Sequence, residues 1–544
     1  MIMSDRYRKM KQMTWGLMLL LLMPLLTGCG VSVPTDARPV ARKVRVMPDN
    51  DGATLPPNIA PLNFEVMEAG DAFVVRYYAK DGTEIVSSGN PIDVPVDEWH
   101  ELLRAARGDT LYTDIYVKNG GSWSRFPTMK NPIATESIDE YISYRLIQPS
   151  YVDYEDMDIR QRNVSDFDEH IIFHNMMLSE DEKGQCINCH VPQNQNLTGH
   201  SLFHVRQLKG GTVLIDGAQA TKVNLKTDST LSAGVYPAWH PKNDQFIAFS
   251  VNETGQVFHT RDVQKIEVID FGSNLILYDA AKNQVFDIDC RTDEFETFPT
   301  WSPDGQWLYY VSAHYEQQSD NIDAELNSAY PQLKYNIYRR SFNAGTRKFG
   351  ERELVLDAAA MDKSASTPRI SPDGKWILFA LADYGQFHIW HNSSRLYAMP
   401  TGLGTDTPDP QTTVHPALDP KWGAASYHSF SSNGRWVVFS SRRDDGNYTR
   451  LYIAYFDSDG RLHKPFLLPQ RSPRYYTELF RSYNVPEFLA RPVSPTLNDL
   501  TKAVDRAPLQ AEYAGSSLLV PEARSGIRRQ LDDSKERIVS TVAY

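Results

Sequence analysis

Four stretches of this chain repeat one pattern, and that pattern narrows the possible folds more than anything else in the sequence. They are YPAWHPKNDQFIAFS from Tyr236, FPTWSPDGQWLYYVS from Phe298, TPRISPDGKWILFAL from Thr367 and YHSFSSNGRWVVFSS from Tyr427. In each, a short strand enters a tight turn built on Pro-Asp-Gly, Asn-Gly or Asn-Asp, and an aromatic and β-branched strand leaves it, which is hairpin chemistry. Trp307, Trp376 and Trp436 fall at equivalent places, and a further strand with an aliphatic-Tyr pair follows each hairpin, at Leu277-Tyr278, Ile337-Tyr338, Leu396-Tyr397 and Leu451-Tyr452. The unit is therefore a small antiparallel sheet. Such a sheet cannot bury both faces alone, and radial stacking of several copies solves that problem while leaving only short edges exposed. Upstream, Phe203–Leu208 and Thr212–Asp216 flank Gly210-Gly211 as one more hairpin, and Tyr141–Ile147 suits the start of another. About six units are expected, with seven the next choice.

A second feature speaks to chemistry. Cys186-Ile187-Asn188-Cys189-His190 reads C-x-x-C-H, the spacing that attaches a c-type haem: two thiols add across the vinyl groups and the adjoining imidazole reaches the iron. The alternatives are a C-x-x-C redox pair or half of a zinc site; a tetrahedral zinc would need a fourth ligand and usually a second cysteine pair, which this chain with 4 cysteines lacks. One covalent haem c is expected, on Cys186, Cys189 and His190. For the sixth iron position His204 is favoured, because a strand-like segment holds a ligand rigidly; Met176, Met177, His200, His174, His170 or an open position are the alternatives, and a histidine hydrogen-bonded between strands is the plain reading of His204.

The N-terminus carries Arg6, Arg8, Lys9 and Lys11 ahead of an apolar run from Trp15 to Leu26. That is a targeting segment, too short to span a bilayer comfortably. It ends in Leu26-Thr27-Gly28-Cys29, which resembles a bacterial lipobox whose cysteine is acylated. Losing residues 1–28 removes four basic side chains and one acidic, moving the balance from −12 to −15, which argues against a nucleic-acid partner. The expected place is the bacterial cell envelope, lipid-anchored and facing the periplasm or the cell surface, where c-type haem is also attached. Cys290 is then left over as a buried thiol.

The remaining chain divides by pattern. Residues 29–60, rich in Pro and Asp, read as a tether. Residues 61–135 read as a small, sandwich-like β-rich domain, with a turn at Asp81-Gly82, a helix from Val96 to Arg107, and a hairpin pairing Leu111–Lys118 with Ser122–Thr128. Residues 136–200 read as a haem-binding segment, too short for an independent helical cytochrome and so an excursion packed on its β-neighbours. Residues 201–490 carry the repeats, and 491–544 read as a polar tail lying along the body or partly disordered. Asp304, Asp373 and Asn433 read as turn caps, and Arg442-Arg443-Asp444-Asp445-Gly446 as a solvated charged turn. No phosphate-binding glycine loop or nucleophile elbow is present.

The Pro-Asp-Gly hairpins resemble the TolB-type propeller repeat. With the lipobox, the β-rich domain, the single C-x-x-C-H, the His204-x-Arg206 and Gly210-Gly211-Thr212 that follow it, and the Ser482–Phe488 stretch, the chain looks like a group of bacterial TolB-like lipoproteins carrying one c-type haem. The resemblance implies an all-β fold, a TolB-like β-propeller of about six blades after a small β-rich domain and a haem segment. It also implies one-electron transfer to a redox partner protein. A haem-dependent oxidoreductase or peroxidase, and an envelope binding or assembly lipoprotein with a structural haem, are the alternatives.

Overall fold

The structure, a computed structural model, describes residues 31–148, 157–178, 185–259, 264, 266–289, 291, 293–318, 321–402 and 413–516. The leader with Cys29, the leftover Cys290 and the last part of the tail lie outside the described residues.

The N-terminal domain is built on the strand Thr110–Asn119, which pairs antiparallel with Ala72–Tyr78, Ser122–Arg125 and Met129–Pro132. Helix Val96–Ala105 follows Pro95, with Asp97 and Glu98 in its first turn and Arg104 in its last, as the helix dipole favours. Its Trp99 is buried, meets Tyr77 edge-on with ring centroids 5.6 Å apart, and donates its indole N–H to the Ile59 carbonyl at 3.0 Å. Two expectations fail here. The domain is a single mixed sheet with a helix and not a sandwich, because its apolar face shares one core with Tyr144, Tyr483, Trp436 and Leu451 from the repeat region. Residues 46–60 are not a tether either. Val46–Met47 pairs with Glu65–Val66, and Ala53, Leu55, Ile59 and Ala60 are buried, with the Ala60 N–H bonded to the Val164 carbonyl at 2.8 Å. A stretch that lacks regular structure can still bury side chains when its backbone groups find partners elsewhere.

Six sheets of four or five strands dominate the rest of the described residues. One comprises Ser482–Leu489, Tyr141–Ile147, Asp158–Asn163 and Glu169–His174, in that spatial order. The others start in turn with Gln185–Pro192, Val235–Trp239, Glu294–Trp301, Ser364–Ile370 and Ser426–Phe430. These six first strands pack each against the next, and the last, Ser482–Leu489, returns against both Ser426–Phe430 and Gln185–Pro192. The arrangement is all-β and propeller-type. Apolar clusters lie between neighbouring sheets, as with Leu378, Ala380, Phe439 and Tyr452, and this shared burial is what stabilises sheets too small to stand alone.

The repeated turns are as the sequence implies. Trp307, Trp376 and Trp436 each donate a backbone N–H at 3.0 Å to Ser302, Ser371 and Ser431 Oγ, while Asp304, Asp373 and Asn433 accept from the residue two places on. These three are turn caps. Gly305 has φ +75°, and a Cβ there would stand 2.4 Å from the His240 ring, so only glycine fits. The Arg442 turn departs from expectation: Arg442 is buried with its guanidinium 3.2 Å from the centroid of the Trp390 ring, because a planar cation can stack on an aromatic face instead of facing water.

The tail is partly bound. Helix Leu497–Asp505 starts with a Thr496/Asp499 capping box, and two short strands beyond it, Leu509–Gln510 and Glu512–Ser516, extend neighbouring sheets in parallel pairing with Val223-Asn224 and with Gln284–Asp287.

Candidate functional site

The C-x-x-C-H motif lies on Gln185–Pro192, an innermost strand of the ring. It is not an excursion. It pairs antiparallel with His200–Gln207, so the boundary drawn at residue 200 cuts through one sheet. Sequence alternation failed to reveal this strand because cysteine, asparagine and histidine carry little period-two signal.

The pairing slips by one residue between Asn188 and His190, and Cys189 at the slip has φ +42°. The same device recurs in every other first strand. Tyr236, Phe298, Thr367, Tyr427 and Val485 sit at register shifts with φ between +46° and +52°. These are β-bulges in a left-handed conformation that β-branched Thr367 and Val485 adopt only at a cost, of order 1–3 kcal/mol each. All six residues line one cavity at the centre of the ring. The motif's second cysteine therefore occupies the repeat's own bulge position. A sequence signal for it existed: Tyr236-Pro237, Phe298-Pro299, Thr367-Pro368 and Val485-Pro486 stand where Cys189-His190 stands.

The cavity has an empty volume of about 1230 Å³ including its mouth, at the upper end of or above the usual range for small-molecule and cofactor sites. Cys186, Cys189 and His190 share its wall with Met157, Arg145, Arg206 and Arg369. Tyr236, Phe298 and Tyr427 form an aromatic run within it, with centroids 4.3 and 6.2 Å apart. Cys189 Sγ accepts the Tyr236 backbone N–H at 3.4 Å, and burial pushes its thiol pKa up. His190 is buried, and neither ring nitrogen has a hydrogen-bond partner among the described residues. Burial, with Arg145 adding to it and the Ser143 backbone opposing, lowers its pKa to about 3, so the imidazole is neutral. A neutral imidazole whose ring nitrogens lack a partner among the described residues, adjoining Cys189 and four places after Cys186 on the lining of one cavity, is a donor set that fits a c-type haem. Farther along the wall Asn252 donates to Asp270 Oδ1 at 2.9 Å and Tyr335 to Asp270 Oδ2 at 2.8 Å, and burial raises the Asp270 pKa to about 6.

The sixth-ligand candidates are not brought to this cavity. His204 is directly across from Asn188 in the ladder while Phe203 is across from His190, so His204 and His190 alternate to opposite faces of the sheet. His204 is buried, its Nδ1 lies 3.1 Å from Thr212 Oγ1, and burial lowers its pKa to about 3. This is the inter-strand histidine of the plain reading. His200 lies 3.0 Å from both Gln193 Oε1 and Asp216 Oδ1 and stacks on Trp239. His174 accepts the Met176 N–H at 3.1 Å, His170 is exposed, Met176 is half-buried and Met177 is 40% exposed. Met157, at the entry to Asp158–Asn163, was missed. It is buried on the cavity wall and no local pattern marks it.

No protein-family model and no curated protein sequence matches this chain. Among solved structures it is similar to Kuenenia stuttgartiensis hydrazine synthase at 10% identity and a TM-score of 0.42, over 65% of this chain and 48% of that one. The chain thus spans about half the length of that protein. It is also similar to the β-propeller domain of the trilobed protease from Pyrococcus furiosus, at 9% identity and a TM-score of 0.30, over 81% of this chain and 100% of that domain. Both scores lie below 0.5, so the propeller-type description rests on the strand ring of this chain itself.

Proposed function

We propose that this chain is an extracytoplasmic, lipid-anchored cytochrome: a six-bladed TolB-like propeller that carries one covalent haem c in its axial cavity and passes single electrons to a partner protein. The observation that carries the reading is the convergence of Cys186, Cys189 and an unsatisfied, neutral His190 on one cavity wall. Cys186 and Cys189 would form the thioethers, and His190 would give the iron its protein ligand. Haem, when bound, supplies a one-electron couple. The polypeptide's own part would be to enclose the group within the cavity that Tyr236, Phe298 and Tyr427 help to line and to shield it from water, which would tune that couple.

The test is haem staining after denaturing electrophoresis of the membrane fraction, followed by absorption and magnetic spectroscopy with a redox titration. Haem that survives denaturation and titrates reversibly supports the reading, and its absence from protein matured in a host able to attach c-type haem sinks it. A Cys29→Ser variant should leave the membrane and keep its haem, since the two attachments are chemically separate.

A second reading, a haem-dependent oxidoreductase, is favoured by the cavity's polar side, where Asn252, Thr254 and Gln256 face the same space as the motif. An iron that binds cyanide or carbon monoxide in the unmodified protein would favour it over the electron carrier.

A further inference from the structure

Arg369 and Glu487 form an ion pair at 2.6 Å inside the ring. They come from Ser364–Ile370 and Ser482–Leu489, which are not neighbours; Ser426–Phe430 lies between them. Arg369 therefore reaches inward to make the bond. Glu487 is buried, and burial raises its pKa in spite of the arginine. The Arg369 side chain keeps 31% exposure and lines the same cavity as the cysteines. The bond to Glu487 uses Nη2, and a guanidinium has five donors.

The order of the strands then says which part of a haem this cation meets. Counting round the ring, Ser364–Ile370 is third from Gln185–Pro192 in either direction, so it stands across the axis from Cys189. In haem, the vinyl groups taken by the cysteines and the two propionate carboxylates sit on opposite edges of the macrocycle. A haem fixed at Cys186 and Cys189 and filling the cavity would direct its carboxylates toward the far wall. Arginine is the side chain whose planar fork matches a carboxylate with two parallel hydrogen bonds.

Resting on the haem reading above, we propose that Arg369, steadied by Glu487, is the binding residue for the haem propionates. Arg145 and Arg206 line the cavity on the cysteine side, next to the thioether edge, and serve as the comparison.

The experiment uses the full-length, haem-loaded protein and its Arg369→Leu, Arg369→Lys, Glu487→Gln and Arg206→Leu variants. It reads covalent haem content, the propionate bending band in resonance Raman, and the midpoint potential as a function of pH. Arg369→Leu should keep full haem, shift the propionate band, lower the potential, and make it fall with pH across the neutral range as an unpaired propionate titrates there. Arg369→Lys, which keeps the charge and loses the fork, should shift the same band by less. Arg206→Leu should lower the potential through lost charge and leave band and pH profile as in the parent. Should Arg369→Leu not accumulate, Arg369→Lys and Glu487→Gln decide: a parental propionate band in both overturns the assignment. So does a band and pH response confined to Arg206→Leu. A parent protein without haem overturns the cytochrome reading itself, an outcome distinct from all of these.

Discussion

Ser143 and Glu487 stand directly opposite each other in one antiparallel ladder although 344 positions separate them in the chain. The strand that closes the ring is thus the last of the ring's innermost strands to be made, and it pairs with Tyr141–Ile147, which precedes all the others. Until Ser482–Leu489 arrives, Tyr141–Ile147 has an open edge facing the axis, and the sheet it heads lacks its innermost strand.

Truncation after Arg481 should therefore prevent formation of a protease-resistant body, whereas truncation after Ser516 should leave one intact. Limited proteolysis followed by mass measurement checks this. A stable core in the shorter protein would show that the ring closes without its final strand.

Replacing Cys186 or Cys189 singly with Ala should leave haem held through one thioether, with the reduced pyridine complex absorbing at longer wavelength than the parent's. The double variant should lose covalent haem altogether. Its fold should survive, because both side chains are smaller than the cavity they border, and far-ultraviolet circular dichroism of the double variant is the control.

His204→Ala should leave the spin state of the iron unchanged, since His204 turns to the face of the sheet away from His190. The expected effect is on stability: Thr212 loses its buried partner, a loss of about 1–3 kcal/mol. Denaturant unfolding measures the second, and the visible spectrum the first. A high-spin spectrum in this variant would reverse the placement argued from the ladder.

Acid should destabilise the fold through two buried histidines that stand next to cavity-lining residues but do not themselves line the cavity. His388 and His428 are buried, bonded through Nε2 to the Gly385 and Leu378 carbonyls at 2.9 Å, and burial lowers both pKa values from 6.5 to about 3. The unfolded chain binds protons to them first. Their contribution is whole above about pH 6.5 and is lost progressively as pH falls toward about 3. Thermal midpoints should drop over that window, and His428→Gln should lose less between about pH 7 and pH 4 than the parent does.

Much of the ring was legible because its units are local. The turns at Asp304, Asp373 and Asn433, the strand at Tyr141–Ile147 and the helix from Val96 all depend on residues within a few places of one another, and the sequence states them. What stayed hidden depends on distance. Ser482–Leu489 has a recognisable sequence, but its partner lies at the other end of the repeat region. Residues 46–60 look like a linker because proline and aspartate dominate them, while Leu55 and Ile59 bury themselves against strands some tens of residues on. At the site, the motif named the cysteines and His190, but only the ladder register separates His204 from His190, and only the ring order sets Arg369 across from the motif.

The tail's two short strands have a mechanical meaning. Leu509–Gln510 is added to the outer rim of the sheet that holds Cys189, and Glu512–Ser516 to the rim of the sheet that holds Tyr236. One short run of chain thus laces two adjacent sheets together at their perimeter, on the side away from the axis. The joint it secures is the one between the sheet of the C-x-x-C-H motif and the sheet of Tyr236, so the spacing of those two walls is fixed from outside as well as by the packing between them. The same run fills two rims that would otherwise offer open hydrogen bonds to a strand of another molecule.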